Sequence, residues 1–79
     1  SEEMVNRPPH YRFGGYELLE VIKAKLRESK MSPAQAGLWV QLVQYLFRFD
    51  VKGKPFEDLN KAKFYLNDLY KETEKTSKD

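Results

Sequence analysis

Cysteine is absent from the 79 residues and histidine occurs once, at His10. These two absences exclude disulfides, thiol chemistry and a cysteine-ligated zinc site, and a single imidazole cannot build a metal centre by itself. No apolar run approaches the roughly 18 residues a membrane span requires, and no basic segment followed by an apolar core opens the chain. The expectation is a cytoplasmic protein with no membrane partner. An excess of one charge is also lacking, since 14 Lys and Arg face 12 Asp and Glu for a net charge of +2. The near balance argues against nucleic acid, even with Arg48, Lys52 and Lys54 near the rings of Phe47 and Phe64. There is no Gly-rich Lys-Ser/Thr phosphate loop and no serine or cysteine at triad spacing from a histidine and an acid. Any phosphate must therefore be held by separate basic side chains and helix amino ends.

What is present is helical. The segment from Ser32 to Phe49 begins with a capping residue, Pro33 at the first helical position and Gln35 three residues after the serine, a capping-box signature. At about 100° per residue, Leu38, Trp39, Leu42, Val43, Tyr45, Leu46 and Phe49 cover one side of this helix. Ala36, Val40 and Phe47 widen that side to roughly 240° of the circumference. Only Gly37, Gln41, Gln44 and Arg48 remain as a polar strip. A helix apolar over so much of its girth must be covered on several sides, which predicts a homo-oligomer in a chain this short.

Around that helix the chain divides into an extended arm over residues 1–15, a three-helix domain over 16–72 and a frayed polar tail over 73–79. The arm has no helical period, and Pro8, Pro9, Gly14 and Gly15 interrupt it. Its Val5, His10, Tyr11 and Phe13 predict that it lies ordered across the helices. Tyr16 to Ser29 reads as the first helix, with Leu18, Leu19, Ile22 and Leu26 inward and Glu17, Glu20, Lys23 and Arg27 outward. Gly53 stops the second helix and Pro55 starts the third, which should run to about Glu72. Its expected inward stripe is Phe56, Leu59, Ala62, Leu66, Leu69 and Tyr70, with Phe64 on the opposite side. The fold class expected is all-α.

Four sets of side chains are candidates for chemistry, each with a plainer structural reading beside it. Arg48 with Gln41 and Gln44 lines one helix face, as a ligand set or as an ordinary solvent strip. Lys52, Lys54 and Lys61 surround the amino end of the third helix, as an anion site or as a solvated hinge. His10 and Tyr11, with Asn6, Arg12 and Glu17 close in sequence, are phosphate or proton-transfer candidates, or structural hydrogen-bonding groups. Glu57 and Asp58 are Mg²⁺ candidates, or acids complementing the helix dipole. Trp39, Val40, Phe47 and Phe64 form a candidate partner surface.

The arm Val5-Asn6, then Pro9-His10-Tyr11, then Gly14-Gly15 with Glu17, resembles the opening of the SaV-like family of small tailed-phage proteins. Gln44-Tyr45-Leu46 with Arg48, the Lys and Gly turn, Glu57-Asp58-Leu59, Lys61-Ala62 and Tyr65-Leu66 extend the resemblance to about Leu69. Where that family commonly has Asn and Lys on the central helix, this chain has Gln41 and Gln44. A domain similar to this family occurs in a phage enzyme that phosphorylates deoxynucleoside monophosphates without a standard phosphate loop. The resemblance implies a phage accessory protein that binds a nucleotide or phosphate between arm and helices and is nucleotide-kinase-like, with Mg²⁺ as cofactor. Carried over by position, its motif residues are Asn6, His10, Tyr11, Arg48, Glu57, Asp58 and Lys61. Arg48, His10 and Lys61 would grip phosphates while Glu57 or Asp58 holds the metal. The alternative is a non-enzymatic phage protein that inhibits a host defence protein or sequesters a nucleotide signal.

Overall fold

The computed structural model describes residues 12, 13, 15–51 and 53–77. Chain order is β1 (Arg12–Phe13), β2 (Tyr16–Glu17), α1 (Leu18–Glu28), α2 (Pro33–Arg48) and α3 (Pro55–Thr76). Three helices make up nearly all of it, as an all-α reading requires. The exception is the short antiparallel ribbon of β1 and β2, with Arg12 opposite Glu17 and Phe13 opposite Tyr16. Gly15, at φ +90°, supplies the left-handed backbone between the two strands. This pairing corrects the start of the first helix. Tyr16 and Glu17 are held extended in the ribbon, so α1 begins at Leu18.

Local chemistry sets the ends of α2. The Ser32 hydroxyl accepts from the Gln35 backbone N–H at 3.1 Å, and the Gln35 side-chain oxygen accepts from the Ser32 N–H at 2.9 Å. This reciprocal cap satisfies two backbone donors that the first turn would leave orphaned. After Arg48 the chain turns through Gly53, whose φ of +88° lies in the region glycine tolerates best. Pro55 then opens α3 at its first position.

The α2 and α3 helices form an antiparallel hairpin, the main tertiary contact among the described elements. Polar contacts mark its two extremities. Near the turn, Arg48 Nε donates to Asp58 Oδ1 at 3.4 Å; at the open end, Gln35 Nε2 donates to the Thr73 hydroxyl at 3.0 Å. Between them the rings of Tyr45 and Tyr65 stack at 5.8 Å with 14° between planes. Leu18, Ile22 and Ala62 are the buried apolar residues among those described. Leu18 and Ile22 confirm the inward stripe of α1, which abuts β2.

Two further expectations are corrected on α3. The helix continues to Thr76, a turn past Glu72, because Thr73 and Thr76 hydroxyls donate to the carbonyls of Leu69 and Thr73 and Lys75 pairs with Glu72. The expected inward stripe is also rotated. Ala62 is buried and Leu59 and Leu69 half-buried, but Phe56 is 81% exposed, Tyr70 63% and Leu66 53%. Asp58 and Tyr65 face inward instead, because the helix turns to bring one to Arg48 and the other to Tyr45. No described helix is long and apolar enough to cross a membrane.

Candidate functional site

A recess of ≈ 270 Å³ lies where α2 ends and α3 begins, lined by Arg48, Lys54, Glu57, Asp58 and Lys61. The turn is responsible for this convergence. It returns the chain within a few residues, so a side chain from the last turn of α2 meets three from the first two turns of α3. Arg48 belonged to one candidate set, Lys54 and Lys61 to a second, and Glu57 and Asp58 to a third; the fold brings all three together.

Asp58 is the best-buried charged residue described, at 5% exposure. A carboxylate so placed needs a partner, and the Arg48 guanidinium supplies it. That guanidinium has a second contact, because its central carbon sits 4.5 Å from the centroid of the Tyr45 ring. The ammonium of Lys61 approaches the same ring at 5.7 Å. With Asp58 bonded to Nε, the terminal nitrogens of Arg48 make no hydrogen bond among the described residues. Lys54, the N-cap of α3, gives no side-chain hydrogen bond to the helix end. The opening turn of α3 thus has no side-chain cap, and the amino end of a helix is where an anion is favoured.

The acidic pair divides its work. Asp58 is engaged with Arg48, while Glu57 is exposed at the rim. Among the described residues no group of three or more His, Cys, Asp or Glu is placed to hold a metal ion. A divalent cation here would need ligand oxygens of its own substrate beside Glu57.

Asn6, His10, Tyr11 and Lys52 lie outside the described residues, and Arg12 is described only through the backbone of β1. On the candidate partner surface, Trp39, Val40 and Phe47 are half-buried on α2, and Phe64 is 61% exposed on α3. Phe64 lies edge-on to Tyr65 at 5.3 Å, the last ring of a chain running from the recess to the outer face. Gln41 is exposed and Gln44 half-buried, and neither lines the recess. Sequence reasoning missed Tyr45, the ring that orders the two cations. Its signals were its place in the Gln44-Tyr45-Leu46 stretch of the resemblance and its spacing, since Tyr45 stands three residues before Arg48 and therefore on a neighbouring face.

No curated protein and no solved structure matches the chain. Residues 5–67 match a family described as protein of unknown function, DUF3310, a span that includes α1, α2, the turn and most of α3. The chain belongs to the DUF3310 family.

Proposed function

We propose that the recess between α2 and α3 binds the phosphate of a nucleotide. The observation that carries this reading is the convergence of Arg48, Lys54 and Lys61 on one concave surface beside the uncapped amino end of α3. Without a glycine-rich loop, phosphate is held by separate basic side chains and helix amino ends, and this recess offers both. Arg48 is the fixed member, held by Asp58 and Tyr45; Lys61 rests more loosely against the same ring, and Lys54 makes no side-chain bond to the helix end. The resemblance to the SaV-like tailed-phage family supports a nucleotide as the bearer, with Asn6, His10 and Tyr11 as its further motif residues and Arg12 beside them in sequence as another candidate. It also supports phosphoryl transfer with Mg²⁺, in which these cations would stabilise charge on the moving group and Glu57 would face the metal. Isothermal titration with nucleoside mono-, di- and triphosphates should give saturable heat, and Lys61→Ala should weaken binding about tenfold, or ~1.4 kcal/mol. Absence of heat with every nucleotide at high protein concentration would sink the proposal.

A second reading, a non-enzymatic phage protein acting on a host protein, is favoured by one observation. No residue of α2 is buried, although it is the most apolar helix. Trp39, Val40 and Phe47 would then be contact residues. In this case Val40→Asp abolishes capture of the host protein while nucleotide binding persists; retention of the complex in that variant counts against it.

A further inference from the structure

The outer face of α3 has no role in the recess. An open groove of ≈ 710 Å³ runs along it, lined by Asn60, Lys63, Phe64, Leu66, Asn67 and Tyr70. Lys63, Asn67, Tyr70 and Glu74 follow one another at intervals of four, three and four, the repeat of a two-helix seam. All four are exposed, with Phe64 and Lys71 beside them on one edge. The side chains of Lys63, Asn67, Lys71 and Glu74 make no hydrogen bond or ion pair among the described residues, whereas Lys75 and Glu72 on the same helix do pair.

The arrangement along this seam is self-complementary. If a second α3 is laid antiparallel with a two-fold axis between residues 68 and 69, Lys63 falls level with Glu74 of the other copy and Asn67 with its Tyr70. Phe64 falls beside the other copy's Lys71. Two levels then join a cation to a carboxylate and an amide to a phenol, an aromatic ring lies about 3 Å along the axis from an ammonium on the same edge, and the symmetry repeats each pairing. Phe64, Leu66 and Tyr70, with their polar neighbours, would cover roughly 500 Å² per copy, since an aromatic side chain offers about 150–250 Å². Twice that value reaches the lower limit of about 1,000 Å² for a specific interface.

We propose that the outward face of α3 is a homodimer interface in which two copies pair antiparallel through Lys63–Glu74, Asn67–Tyr70 and Phe64–Lys71 contacts. The contacts are polar at both ends, so the dimer is weak and sensitive to salt. It is independent of the phosphate recess, which lies on the side of α3 facing α2.

The test is sedimentation equilibrium of the full chain over a range of concentrations, with circular dichroism as the check on folding. The wild type should show a monomer–dimer equilibrium. Lys63→Glu and Glu74→Lys should each shift it toward monomer by at least tenfold in dissociation constant, because each places like charges level with one another. The double variant Lys63→Glu/Glu74→Lys restores the opposite-charge pairs and should recover the dimer. A wild type that remains monomeric throughout overturns the inference, as does a dimer indifferent to both single variants. Failure of the double variant to recover association, with helix content intact, overturns the register.

Discussion

Asp58 concentrates the physical argument in one side chain. A buried carboxylate held by a partly exposed guanidinium contributes little net stability, because desolvation offsets much of the attraction, yet removing either member leaves the other without its partner. Asp58→Ala should therefore lower unfolding free energy by about 1–2 kcal/mol in urea titrations, and the Arg48→Ala/Asp58→Ala cycle should return a coupling of about 1 kcal/mol. Additive single effects would mean the pair is incidental. Asp58→Asn retains the size and an acceptor oxygen for Nε but not the charge, so it should cost less than the alanine. Gly53 provides a contrasting case. A Cβ there would meet nothing within 4 Å, so Gly53→Ala costs only the backbone strain of φ +88°, about 1 kcal/mol, with no change in packing.

Helices differ in how much of their placement their own sequence specifies. The start of α2 was legible because Ser32, Pro33 and Gln35 form a closed local circuit; Ser32→Ala should lower stability by about 1 kcal/mol, read as a fall in denaturation midpoint without a change in slope. The inward face of α1 was legible for the same reason, since Leu18 and Ile22 lie on a simple amphipathic stripe. The rotation of α3 was not. Its apolar residues are spread widely enough to permit several orientations, and the choice is made by Arg48 and Tyr45, which belong to another helix. Counting apolar side chains placed Phe56, Leu66 and Tyr70 inward, whereas one ion pair and one ring stack leave them outside. The same nonlocality governed the recess: its residues were each singled out in sequence, but only the hairpin turn assembles them.

At the scale of the molecule, the buried apolar residues among those described are few: Leu18, Ile22 and Ala62. Such an interior contributes little, so coverage by the second copy proposed above would supply a larger share of stability than in a larger domain. The melting temperature should accordingly rise with protein concentration in differential scanning calorimetry, and Lys63→Glu should flatten that dependence. A melting temperature indifferent to a hundredfold change in concentration would show the single chain to be self-sufficient.

The Gln35–Thr73 bond has a consequence at the opposite extremity of the hairpin. It joins the amino-terminal cap of one helix to the last turn of the other, while Arg48 and Asp58 secure the pair beside the turn. Sliding either helix by one residue would break both clasps simultaneously, although greasy side chains between them could repack with modest loss. Alignment of the two rods is thus written in four polar residues, leaving the apolar layer free to vary in sequence so long as its volume is kept.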